Sequence, residues 1–146
     1  MMEHQELLKE KVESGFVTCR NDSCRQREHC LRWLGQVYED PQPLVCKYVN
    51  MSNPAVGGEQ CPMYRQDQKV RLAIGFVHLL CQLPRNKSNA LMAWIKSECH
   101  RNYAYEYRNG TRPIPPSLQQ LIIEKCRQLG WEEPVEFDGY IDEYEW

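Results

Sequence analysis

The chain has no run of the roughly 20 apolar residues that a membrane-spanning helix needs. It also lacks a Gly-rich phosphate loop, a His-Glu-x-x-His pair and a nucleophile elbow. P-loop NTPase, zincin and α/β-hydrolase chemistry are therefore without their residues. The first residues, Met1-Met2-Glu3-His4-Gln5-Glu6, have neither the basic end nor the apolar stretch of a secretory signal, so a cytoplasmic chain is expected. On that expectation the Asn-x-Ser/Thr matches at Asn21, Asn50, Asn86 and Asn109 read as accidents. Only three phenylalanines are present, so four tryptophans and eight tyrosines supply the large pieces of the core. At 146 residues the chain makes one domain or two small lobes and can bury a real core.

Eight cysteines are what the sequence does have. In a reducing compartment such thiols are apolar core residues, catalytic groups or metal ligands. Cys81, Cys99 and Cys126 sit within amphipathic patterns, where cysteine acts as a small hydrophobe. Cys19, Cys24, Cys30, Cys46 and Cys61 instead crowd into a polar, turn-rich stretch. The spacing Cys19-x4-Cys24-x5-Cys30, followed by Cys61-Pro62, offers three near ligands and a distant one that closes a loop. Thiolates are the ligands that zinc and iron–sulfur clusters prefer. The expected ligand set is Cys19, Cys24, Cys30 and Cys61, with Cys46 as a substitute. Zinc is the expected metal, because no ferredoxin spacing is present, and an iron–sulfur cluster is the alternative. The absence of a Cys-x2-Cys knuckle leaves individually packed thiols as the competing reading. His29 adjoins Cys30, but neighbours on a helix point about 100° apart, so it is assigned to the surface. His78 is assigned to the core.

Hydropathy patterning predicts a mainly α chain with a small β-hairpin, in which a cysteine-cluster lobe (1–66) packs on a helical lobe (67–146). Helices are expected over 3–14, from Ser23 to about Tyr38, from Asp67 to Leu83, from Asn86 or Ser88 through Cys99, and from Ser117 to Leu129. Residues 44–49 read as β-prone. Alternating Tyr103, Tyr105 and Tyr107, followed by Asn109-Gly110, read as a hairpin returning through Ile114.

The charge distribution is uneven. The net charge is −1 over residues 1–66, +6 over 67–130 and −7 over 131–146. The basic stretch has the helix–turn–helix–hairpin order of winged helix–turn–helix modules. Arg85, Lys87, Lys96, Arg101, Arg108 and Arg112 are its candidate nucleic-acid contacts. The acidic tail is expected to dock through its aromatic residues. No Cys/His pair with catalytic placement is apparent: Cys99 and His100 adjoin on a helix and face different ways. The functional expectation is a small cytoplasmic metal-binding protein of the zinc type, with no catalytic residues assigned, a regulatory role and weak nucleic-acid contact. Its alternatives are a protein-interaction module with a purely structural metal and an iron–sulfur redox protein.

The Cys19/Cys24/Cys30 group, the Gly57-Gly58…Cys61-Pro62 step, the Arg112-Pro113-Ile114-Pro115-Pro116 segment and the aromatic-acidic end carry a resemblance. Over essentially the whole chain they resemble an uncharacterised family of small proteins from Bacteroides-type gut bacteria, filed as a domain of unknown function. The resemblance implies a bacterial cytosolic setting and a cysteine cluster, and no activity.

Overall fold

The computed structural model describes residues 2–146. Two compact units are present, one running through Gln68 and including Trp146, the other spanning Lys69–Glu145. Helices predominate, and the only sheet among the described residues is a two-stranded antiparallel pair. No helix among the described residues is long and apolar enough to cross a membrane.

The first unit opens with α1 (Met2–Glu13), which buries Leu8. It closes through amide bonds from Gly15 to Val12 and from Phe16 to Lys11. The helix expected over 23–38 is broken into a 3-10 turn (Arg27–His29), α2 (Leu31–Leu34) and a second 3-10 turn (Gly35–Tyr38). The break lies at Cys30, whose backbone is extended (φ −107°, ψ 119°). There the chain pairs with a returning segment: Leu31 donates to the Arg65 carbonyl at 2.7 Å, and Asp67 donates to that of His29 at 2.9 Å. A backbone group engaged across the unit cannot also sustain the helical ladder. Between Tyr38 and Val70 the chain forms no helix or strand. The β-prone 44–49 stretch contributes one isolated bridge, Thr18 with Tyr48, and leaves Leu44 and Val45 exposed. Apart from Cys30, only Leu8, Leu31 and Val49 are buried apolar side chains among the described residues of this unit.

The second unit corrects two expectations. Residues 67–83 do not form one central helix. They divide into β1 (Val70–Ile74) and α3 (Val77–Gln82). An unbroken apolar run suits a buried strand as well as a buried helix, and periodicity alone does not separate them. Nor is there a hairpin at 103–114. Arg101–Asn109 is helix α5, which follows α4 (Arg85–Glu98) and buries Ala104. Tyr103 and Tyr107 lie four apart and share one helical face. Gly110, at φ +84°, closes α5 with its amide on the carbonyls of Glu106 and Tyr107. An Asn-Gly step serves a left-handed helix cap as readily as a hairpin turn, because both need positive φ. With no hairpin, the winged helix–turn–helix order is absent.

Helix α6 (Pro116–Gln128) starts on proline, one residue before the expected Ser117. Proline's fixed φ and missing N–H suit that position. Strand β1 is held on both sides. It pairs antiparallel with β2 (Gly139–Glu143), Val70 opposite Glu143 and Ile74 opposite Gly139. On its other side, Ala73 and Ile114 exchange backbone bonds of 3.0 and 2.8 Å. The core gathers Ala73, Phe76, Leu79, Leu83, Leu91, Ile95, Ala104, Ile114, Ile122, Cys126 and Phe137.

The acidic end thus enters as a strand. Phe137 is buried, while Tyr140 and Ile141 stay exposed at 40% and 43%. Strand pairing and Asp138 hold the segment together with its expected aromatic docking, which Phe137 in the core and Trp131 packed against it supply. The Asp138 carboxylate accepts from the amides of Val77 (2.8 Å) and His78 (3.0 Å) at the start of α3.

Candidate metal centre

Each of the four candidate cysteines of the first unit is set by its local backbone. Cys19 lies on an extended stretch and donates its amide to the Arg32 carbonyl at 2.9 Å. Cys24 closes a turn from Asn21 (3.2 Å), which the Asn21 side chain supports by accepting from the Ser23 amide. Such Asx turns use the short amide side chain as a substitute for a backbone acceptor. Cys30 follows the 3-10 turn and its carbonyl starts α2, accepting from Trp33 and Leu34. Cys61 closes a turn from Gly58 (3.2 Å), and its own carbonyl opens the next by accepting from Tyr64 (3.1 Å).

All four line one cavity of about 20 Å³, with Arg27, Arg32, Trp33, Val49, Met63 and Tyr64 among its other walls. That volume is enough for about one water-sized occupant. Gly57 also lines it, at φ +86°, and a Cβ there would come within 2.6 Å of the Asn21 amide nitrogen. The positive φ at that position favours glycine. Burial pushes the Cys19 thiol above its ordinary value; a backbone bond from Asn21 opposes this, and Cys30, Cys24 and Cys61 add to the rise as like-charged neighbours. Among the described residues no group of three or more His, Cys, Asp or Glu is arranged to hold a metal ion as it stands. The thiols share a wall without forming a finished coordination sphere.

The other cysteines lie elsewhere. Cys46 is exposed and lines a different groove with Thr18, Glu39 and Tyr48. Cys99 is half-buried, with its thiol on the Ile95 carbonyl at 3.2 Å, and Cys126 is buried in the second unit's core. Cys81, expected in an apolar stripe, is exposed, because the six-residue α3 buries Leu79 on its inner side. His29 is exposed as assigned. His78 is exposed too, contrary to its core assignment, and its amide rather than its ring is the group engaged.

Sequence reading missed Arg32, since one arginine carries no signal of burial. Its side chain is 8% exposed, with Nε donating to Met63 O and Nη1 to Val17 O, both at 2.8 Å. The guanidinium lies 4.6 Å from the centroid of the Phe16 ring. No carboxylate pairs with it among the described residues. Burial pulls its pKa down and Arg65 adds to that, while Cys30, Cys19 and Cys61 oppose the shift. A buried cation without a carboxylate is costly unless other anionic groups stand close.

The six basic candidates separate. Lys96, Arg101 and Arg108 gather around Tyr105. Arg112 is engaged by Glu106 at 2.7 Å and lies over Tyr103. Arg85 and Lys87 sit in the first turn of α4, roughly 14–16 Å along the helix from Lys96 at 1.5 Å per residue.

The model of a family described as "Family of unknown function (DUF6078)" matches residues 1–146. No curated protein and no solved structure matches the chain.

Proposed function

The chain belongs to this family of unknown function, and since membership assigns no activity, we propose from its own residues that it is a small metal-binding protein. Cys19, Cys24, Cys30 and Cys61 together hold one zinc-type ion. The observation that carries this reading is the cavity: cysteines from separate stretches of the chain line one space of about 20 Å³. Zinc takes four thiolates in tetrahedral sites, and such an ion ties remote loops together.

Two features of the first unit support the reading. Among its described residues the buried apolar side chains besides Cys30 are Leu8, Leu31 and Val49 alone, and some thirty residues between Tyr38 and Val70 carry no helix or strand. A lobe with so little core and so long an irregular loop is the kind a metal stabilises. The second feature is Arg32. Four thiolates on a divalent ion carry two negative charges, and a buried guanidinium beside them offsets part of that charge. Cys46 lines another groove, which favours Cys61 as the fourth ligand. A reducing cytoplasm suits thiolate ligation, and the metal's role in this reading is architectural.

Elemental analysis of full-length protein purified anaerobically without added metal tests the proposal. One equivalent of zinc is expected, lost in Cys24→Ala. Iron with acid-labile sulfide would replace zinc by the iron–sulfur alternative. A fully folded first unit that holds no metal as purified and takes up none when zinc, or iron with sulfide, is supplied refutes both.

A further inference from the structure

Where α4 and α5 meet, three cations converge on one ring. Lys96 Nζ lies 4.7 Å, Arg108 Cζ 4.9 Å and Arg101 Cζ 5.9 Å from the Tyr105 ring centroid. The spacing Arg101-x3-Tyr105-x2-Arg108 puts these three on one face of α5, and α4 supplies Lys96. None of the three cations pairs with a carboxylate among the described residues, and Arg108 Nε is engaged only by Asn109 Oδ1. On the same helix, by contrast, Glu106 neutralises Arg112. Like charges held this close repel one another, and a bound anion relieves that repulsion. Consistent with the clustering, hydrogen bonds from Lys96 and Arg101 lower the Tyr105 phenol's pKa.

We propose that Lys96, Arg101 and Arg108, gathered on Tyr105, form a binding site for the phosphates of a nucleic-acid backbone. Over the whole unit the charges balance, because residues 131–145 carry −7, so the attraction is local to this cluster. Its cations come from two helices and Arg101 is exposed, an open arrangement that suits successive phosphates of a polymer rather than a single enclosed phosphate. Without a wing or an inserted recognition helix, the contact is to backbone phosphates and independent of sequence. The site lies wholly within the second unit, so it stands or falls separately from the metal reading.

Full-length protein is titrated into fluorescently labelled random single-stranded and duplex DNA at 50 and 200 mM salt, with anisotropy as the readout. Wild type is expected to bind, and more weakly at the higher salt. The triple variant K96Q/R101Q/R108Q should lose at least about tenfold in affinity and flatten the log–log salt slope by about 2–3, one increment per phosphate contact. R85Q/K87Q should stay within about twofold of wild type, since those positions lie outside the site. Should circular dichroism show the triple variant misfolded, the exposed single variant R101Q is read instead, with a slope change of about 1. No binding by wild type, an unchanged triple variant, or equal losses in R85Q/K87Q overturns the proposal. So does displacement of the DNA by inorganic phosphate at equal phosphate concentration, or a preference for a phosphopeptide.

Discussion

Replacing Asp138 by alanine should lower the unfolding temperature of the 69–145 unit by about 4–16 °C. The two carboxylate oxygens accept from the Val77 and His78 amides at 2.8 and 3.0 Å, in the first turn of α3. That helix has six residues, too few to stand without outside support. Yet it delivers Leu79, fully buried, to the core immediately after Phe76. Removing an aspartate cap costs about 0.5–2 kcal/mol, and losing its charge beside a helix N-terminus adds about 0.3–1 kcal/mol. Water reaches these exposed bonds and recovers part of the loss, which leaves about 1–2 kcal/mol. For a unit of this size each kcal/mol is worth about 4–8 °C. Alanine keeps the Asp138 backbone bond to Gly75, so the substitution isolates the carboxylate. Asp138→Asn retains an acceptor without charge and should fall between the two. Thermal unfolding followed by circular dichroism gives the shift, and hydrogen exchange at the Val77 and His78 amides gives its location. Wild-type unfolding with unchanged protection at both amides would refute the capping argument.

Cys24→Ala should abolish metal uptake and loosen the first unit, whereas exposed Cys81→Ala should bind metal normally and unfold within about 0.5 kcal/mol of wild type. Arg32→Met should weaken zinc binding by about 10–100-fold in a chelator competition, the range for losing an outer-sphere partner; wild-type affinity in a folded variant would remove Arg32 from the account. Burial raises the Cys126 thiol above its ordinary 9.0, so as pH climbs through 9 the unfolded thiol loses its proton first. Stability of the second unit should then fall with rising pH, and Cys126→Ala should shallow that fall in pH-dependent denaturation. Alkylation of native protein, followed by peptide mapping, should modify Cys46 and Cys81 well before Cys126, because accessibility differs so widely among them.

The surroundings of the cysteines sort them only in part. Of the five set among polar and turn residues, Cys19, Cys24, Cys30 and Cys61 line one cavity while Cys46 lines another groove, and Cys126, on a stripe of period 3.6, is in the second unit's core. The same logic misplaces Cys81. Its apolar stripe crosses a run that the structure splits at Gly75, and the short helix left over turns Cys81 to solvent. The tyrosine alternation misled in a related way, since residues i and i+4 agree between a strand's face and a helix's face.

What the sequence by itself determined is therefore local. The α1 closure at Gly15, the amphipathic α4 and α6, and the mainly helical class follow from residues within a few positions of one another. Only the tertiary structure decided that Val70–Ile74 is a strand, because its partner Gly139–Glu143 lies more than sixty residues away. It alone breaks the helix at Cys30, where backbone from residues 65–67 takes the hydrogen bonds. It alone buries Arg32, whose carbonyl partners come from Val17 and Met63. Periodicity and capping describe what a segment can do with its neighbours. Strand pairing and the burial of a charge depend on partners that the chain supplies only once it has folded.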